Sequence, residues 1–143
     1  MREKYILAID QSTSGTKALL FSQNGGLIGR CDRPHRQIVN ARGWVEHDAN
    51  EIYRNTVGVV RDVVEKSGID KGNILGVGIS NQRETAMAWN KQSGEPVFNA
   101  IVWQCARGEE ICGAIADKGF GDEVKAATGL HISPYFSAEK LAW

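Results

Sequence analysis

Ile6-Leu7-Ala8-Ile9-Asp10-Gln11-Ser12-Thr13-Ser14-Gly15-Thr16-Lys17-Ala18-Leu19-Leu20-Phe21 is the stretch on which the fold turns. An apolar run enters a polar turn led by an aspartate, and a second apolar run leaves it. Such a pattern predicts two adjacent strands, Tyr5–Ile9 and Lys17–Ser22. The turn holds three hydroxyls (Ser12, Thr13, Ser14), a glycine and a lysine, a composition suited to phosphate. Hydroxyls and freed backbone N–H groups donate to phosphate oxygens, and glycine lets the backbone come close. An aspartate at a strand end can hold Mg²⁺ through oxygen. Ser, Thr and Gly also simply make turns. Composition alone leaves both readings open.

Two better-known phosphate loops are excluded by spacing. The Walker loop places lysine directly after its second glycine, whereas Thr16 separates Gly15 from Lys17 and no earlier glycine has the required offset. Gly76-Val77-Gly78 lacks the third glycine of a dinucleotide fingerprint and reads as small residues packing in a strand. A nucleotide at the Asp10 turn would therefore sit between two strands.

The chain continues from this hairpin in a consistent order. Asn24-Gly25 between apolar runs is a strong hairpin signal and introduces a third strand from Leu27 toward Pro34. The loop Asn40–His47 leads to a helix start in which Asp48 is the cap and Glu51 completes a capping-box pattern. Ile52, Thr56, Val59, Val60, Val63 and Val64 follow the helical period, and Gly68 sits where a C-terminal cap belongs. Ile74–Ser80 is a continuous apolar run, expected as a strand buried on both faces. A strand pair, Ala86–Trp89 and Val97–Trp103, comes next. Helices are expected over Arg107–Lys118 and Gly121–Thr128, and another opens at Ser137. Three antiparallel strands, a helix and a fourth strand beside the first predict an α/β fold. Its mixed sheet has order 3-2-1-4 with flanking helices, the ribonuclease H-like (actin-like ATPase) topology.

The composition narrows function. The 143 residues suit one domain, and 42% hydrophobic with 24% charged residues is ordinary for a soluble globular chain. Seventeen basic residues cancel seventeen acidic ones, which argues against nucleic acid or a membrane surface as partner. No apolar run approaches a bilayer span, and the N-terminus does not resemble a signal peptide. Cys31, Cys105 and Cys112 lack zinc spacing and read as reduced structural thiols, consistent with a cytoplasmic location. His35, His47 and His131 are isolated and read as core or loop residues. The end, Ser137-Ala138-Glu139-Lys140-Leu141-Ala142-Trp143, looks like the opening of an amphipathic helix without its packing partner, so an incomplete fragment is expected.

A second constellation follows the fourth strand. Arg83 and Glu84 lie at its C-terminal end, where open α/β sheets place ligands, and a guanidinium beside a carboxylate can bind vicinal hydroxyls. Trp103 offers a flat wall for C–H groups, and Tyr135, in a loop stiffened by Pro134, offers a hydroxyl. The set suits a small polyol. Adjacent charges are also commonly a surface pair, and tryptophan commonly anchors a core.

At these residues the chain resembles the FGGY carbohydrate kinases, chiefly those acting on glycerol. The blocks that carry the likeness are Asp10–Lys17, Gly43–Asp48, Asn81–Thr85, Asn99–Gln104, Thr128–Leu130 and Pro134–Ser137, in the family's order. The resemblance implies an ATP- and Mg²⁺-dependent phosphotransferase acting on a terminal hydroxyl of glycerol or a related polyol. Asp10 would help place the metal, and Thr13, Ser14 and Lys17 would lie along the ATP phosphates. Gln82, Arg83, Glu84, Trp103 and Tyr135 would line the polyol site. On this basis residues 1–143 form the N-terminal polyol- and phosphate-binding lobe. The general base and the adenine-binding lobe are expected elsewhere, and a homo-oligomer stays open for the full-length protein. The turn ending in Lys17, with Ala106 and Ala138-Glu139, departs from the glycerol pattern and keeps a pentulose kinase as the alternative. A non-catalytic polyol-binding fragment is the other. A ribonuclease H-class nuclease is disfavoured, because the fourth strand ends in Asn81 rather than a metal-binding carboxylate.

Overall fold

The computed structural model describes residues 3–143, so the N-terminal reading falls partly on Met1 and Arg2, outside the described residues. The chain divides into two compact units, residues 1–36 with 49–82 and residues 37–48 with 83–143.

The first unit is built on β1 (Tyr5–Gln11), β2 (Gly15–Ser22) and β3 (Leu27–Pro34), joined as an antiparallel meander. Gly25 adopts φ +82° in the second turn and donates its N–H to Ser22 O at 2.9 Å. Asn24 is not left-handed, so the loop is a tight turn followed by a left-handed glycine rather than the two-residue Asn-Gly hairpin. Period-two alternation places Tyr5, Leu7 and Ile9 of β1 and Ala18 and Leu20 of β2 on one face, where all are buried. The helix α1 (Ala49–Ser67) covers that face with Val59 and Val63, one turn apart, at 0% and 1% exposure. Burial of an aliphatic side chain of this size stabilises by about 1.5–3 kcal/mol. Arg33 of β3 pairs with Asp62 of α1 at 2.8 Å, and Gly68 ends the helix at φ +66°. Glu51, expected to close a capping box, accepts a hydrogen bond from the Arg36 backbone N–H at 3.1 Å.

The fourth sheet strand of this unit pairs in parallel with β1. Two short strands, β4 (Ile38–Val39) and β5 (Val45–His47), precede it in sequence, so it is β6 (Ile74–Ser80). The sheet order β3-β2-β1-β6 is the 3-2-1-4 order expected from the sequence. The expectation that this strand is buried on both faces is not met. Leu75, Val77 and Ile79 are 66%, 56% and 70% exposed. The cause is position: β6 is the sheet edge among the described residues, and α1 packs over β2 and β3.

The second unit contains β4, β5 and β7 (Ala100–Ile101), the last paired antiparallel with β5. The expected strand pair 86–89 and 97–103 contracts to this short β7 and two isolated bridges, Ala86 to Ile101 and Trp89 to Pro96. Proline has no N–H to extend a ladder. The connection is a tight turn in which Asn90 Oδ1 accepts from the N–H groups of Gln92 and Ser93. A single 3₁₀ turn over 106–108 replaces the start of the expected helix at Arg107, and α2 runs Glu109–Asp117. The helices α3 (Gly121–Thr128), closed by Gly129 at φ +76°, and α4 (Ser137–Ala142) stand where the sequence places them. All three cysteines are buried free thiols. Among the described residues no helix is long and apolar enough to cross a membrane.

Candidate active site

The phosphate-type turn is the β1–β2 connection, Ser12–Ser14. Hairpin register sets Asp10 directly opposite Lys17, and side chains of opposed residues lie on the same sheet face. Their ion pair closes at 2.8 Å with side chains 42% and 32% exposed. The candidate metal ligand and the candidate phosphate cation are thus each other's partner in this state. Ser12 closes the turn, its N–H and its hydroxyl both donating to Gly15 O at 2.9 Å, while Ser14 remains exposed. A Cβ at Gly15 would lie 2.5 Å from Arg33 O on β3. The glycine is therefore required by the neighbouring strand whether or not a phosphate binds.

A buried polar network stands behind the turn. Gln11 and Thr16, opposed in the ladder, both hydrogen-bond with His35 Nε2, at 2.9 and 3.1 Å. The Asn55 side-chain amide reaches the other ring nitrogen, Nδ1, at 3.3 Å. Burial lowers the His35 pKa, against a smaller opposing pull from Glu51. Gln82, expected among the polyol residues, is 9% exposed. Its amide nitrogen donates to Gln11 Oε1 and Ser12 O, both at 3.1 Å, so Gln82 braces the turn.

The second unit brings together residues from three separated stretches. The Tyr135 hydroxyl lies beside Glu84, and its pKa is raised by burial and by that carboxylate, with Arg83 opposing. Trp103 meets Tyr135 edge to face, ring centroids 5.7 Å apart, and the Trp103 backbone N–H donates to Thr85 Oγ1 at 3.3 Å. Arg83 is exposed. A cation, a carboxylate, a phenol and an indole face are the chemistry that binds vicinal hydroxyls and the C–H groups between them.

Sequence reasoning did not single out two buried cations of this unit. Arg107 is 5% exposed and bonds Glu46 Oε1 at 2.5 Å and Cys105 Sγ at 3.1 Å. Its guanidinium lies 4.7 Å from the ring centroids of both Trp44 and Trp143 and 5.9 Å from that of Phe98. Burial raises the Glu46 pKa, but hydrogen bonds from Asn99 and Arg107 outweigh it, and the net shift is downward. Lys140, at 2% exposure, binds three consecutive carbonyl oxygens. Three tryptophan and phenylalanine positions converging on one arginine leave no periodic trace in sequence. The lysine four residues after Phe136 is a local signal that could have been read.

Comparison with known proteins supplies the family. The sequence signature of the FGGY family of carbohydrate kinases, N-terminal domain, matches residues 5–143. The chain belongs to the FGGY family of carbohydrate kinases. Among relatives, it is 51% identical over 139 residues to glycerol kinase 1 of Thermotoga maritima, spanning 97% of this chain and 28% of that protein. It is 48% identical over 141 residues to glycerol kinase of Treponema denticola, spanning 99% and 28%. Plasmodium falciparum glycerol kinase with ADP superposes with a TM-score of 0.89 at 33% identity, over 99% of this chain and 28% of that one. Xylulose kinase from Lactobacillus acidophilus gives 0.87 at 26% identity, over 98% and 28%. The FGGY chain described here thus spans about 28% of the length of the relatives it matches. The actin-like ATPase fold expected from the strand order is the fold of these neighbours.

Proposed function

We propose that this chain is the phosphate- and polyol-binding lobe of an ATP-dependent kinase that phosphorylates a terminal hydroxyl of glycerol or a related polyol. The observation that carries the reading is the meeting of Glu84, Trp103 and Tyr135, from three separated stretches, beside Arg83. Glycerol kinases 51% and 48% identical across nearly the whole chain support it. Arg83 and Glu84 bind the alcohol's hydroxyls, Tyr135 supplies a further hydroxyl, and Trp103 lies along its carbons. Gln82 braces the phosphate turn through Gln11 and Ser12. Thr13, Ser14 and Lys17 lie along the ATP phosphates. The half-exposed Asp10 carboxylate suits Mg²⁺, which is held by one or two carboxylates together with nucleotide phosphates and neutralises charge on them. Lys17 then turns from Asp10 to phosphate oxygens. Adenine binding and the base that accepts the hydroxyl proton belong to the length of the relatives that this chain does not span, so residues 1–143 alone turn over no substrate. The enzyme is cytoplasmic, with a small molecule as its partner rather than nucleic acid or membrane, and a homo-oligomer is compatible with it.

The test is a substrate panel on the full-length protein, with ADP release measured against glycerol, other polyols and ketopentoses. Glycerol is expected to give the highest kcat/KM. Preference for a ketopentose would establish the pentulose-kinase alternative, which the likeness to xylulose kinase keeps in view. Absence of turnover with any of them would leave a polyol-binding module. In the same protein, Arg83→Ala should raise the alcohol KM roughly 10- to 150-fold, the equivalent of about 1.5–3 kcal/mol for a hydrogen bond to a charged group. The KM for ATP should stay within about twofold, below the ~1 kcal/mol that even a weak hydrogen bond contributes.

A further inference from the structure

Pro134 and Tyr135 form the turn that enters α4. Lys140, within the first turn and a half of that helix, folds back beneath it. Its Nζ donates to Pro134 O at 2.5 Å, Tyr135 O at 2.6 Å and Phe136 O at 2.8 Å. An ammonium has three N–H donors and no acceptor, so these three carbonyls satisfy it completely. At 2% exposure, it is neither a free amine nor a phosphate contact.

The consequence falls on Tyr135. The carbonyl of Pro134 lies in the peptide plane before Tyr135, and the carbonyl of Tyr135 lies in the plane after it. Peptide units are rigid, and only φ and ψ connect one to the next. Anchoring both planes to one buried nitrogen fixes φ and ψ of Tyr135, and with them the direction in which its side chain leaves the backbone. That direction carries the hydroxyl to Glu84 and the ring to Trp103. Hydrogen bonds to a charged donor are the strong ones, and at 2% exposure this donor is shielded from bulk solvent.

We infer that Lys140 is a positioning residue for the alcohol site, acting solely through the backbone of Tyr135. The inference rests on the polyol reading of Tyr135 given above. It assigns a specificity role to a residue that touches no substrate.

A double-mutant cycle in the full-length kinase tests it, with KM for the alcohol and for ATP as separate readouts. Lys140→Met should raise the alcohol KM about tenfold, the factor that corresponds to 1.4 kcal/mol, and leave the ATP KM unmoved. In a Tyr135→Ala background the same substitution should change the alcohol KM less than about twofold, since coupled residues are non-additive. An equal factor in both backgrounds would overturn the inference, as would an unchanged alcohol KM accompanied only by a lower melting temperature. Should Lys140→Met not fold, Lys140→Arg carries the same cycle with the charge retained. If Tyr135→Ala itself leaves the alcohol KM unchanged, the polyol reading has failed rather than the positioning role.

Discussion

Lys17→Met separates a structural ion pair from a functional one. Lys17 and Asp10 face each other across the β1–β2 ladder at 2.8 Å, with side chains 32% and 42% exposed. Charges so open to water are screened, and an exposed pair contributes about 0–1 kcal/mol to stability. Removing the ammonium should therefore cost the fold at most about 1 kcal/mol, a fall in melting temperature of roughly 2–4 °C for a domain of 150–250 residues. Its loss from the nucleotide site should cost more. A charge-assisted hydrogen bond to phosphate contributes about 1.5–3 kcal/mol, or roughly 10- to 150-fold in kcat/KM for ATP. The assay is ADP release by the full-length protein at saturating glycerol with ATP varied, paired with thermal unfolding of the same preparation. The expected outcome is a fall of at least tenfold in kcat/KM for ATP, a nearly unchanged melting temperature and an unchanged alcohol KM. Asp10→Asn, which leaves Lys17 without its partner, should lower kcat and raise the Mg²⁺ concentration required. A Lys17→Met protein that melts much earlier yet keeps kcat/KM for ATP within about twofold would show that the pair is a structural staple, and the phosphate reading of the turn would fall.

Two further perturbations address a buried cation and a buried imidazole. Arg107→Met should destabilise the protein by about 3–5 kcal/mol, because it leaves the Glu46 carboxylate, 13% exposed, inside the protein. The lower end is expected, since Asn99 still donates to Glu46 at 2.8 Å. Thermal unfolding measures the loss, and the Glu46→Gln, Arg107→Met double variant should be more stable than the sum of the two single effects. His35 predicts a pH dependence of definite sign. Its folded pKa is lowered by burial, so the unfolded chain binds a proton that the folded chain refuses. Its contribution to stability is whole above the unfolded value of about 6.5 and is lost as pH falls through the folded value. Melting temperatures compared from pH about 7.5 down to about 5 should decline less steeply in His35→Gln than in the parent. Equal slopes would show that burial of His35 carries no pH dependence.

What could be read from sequence, and what could not, divides by the range of the interaction concerned. The hairpin at Asp10, the helix over 49–67 and its stop at Gly68 are local patterns of period two and 3.6 with a glycine terminator, and the structure matches them. The order of β6 beside β1 followed from connection rules alone. Its burial did not, because Leu75, Val77 and Ile79 owe their exposure to where α1 lies, not to their own pattern. The pairing of β4, β5 and β7 was invisible for a different reason: strands of two or three residues have no period to detect.

The candidate site divides in the same way, with a physical lesson about charge. Asp10, Lys17, Arg83 and Glu84 stand out as candidates in the sequence because the chemistry they suggest is carried by residue types at strand ends. Arg107 and Lys140 were not, because an isolated cation in sequence is read as solvated. Both are interior. Arg107 is compensated from Glu46, 61 residues away, and by aromatic faces on either side. Lys140 is compensated by main-chain carbonyls, which carry no sequence signature at all. Burying a cation is costly unless its partners are preplaced, so each ties down the stretches that surround it: Glu46 and Trp44 in one case, the turn bearing Tyr135 in the other. A pocket for a small alcohol has few contacts to offer its ligand and depends on their being held in place. On the proposed reading, the residues that hold them are those whose own partners lie outside the motif, so a motif points to candidate ligand groups and is silent about the residues that would fix their aim.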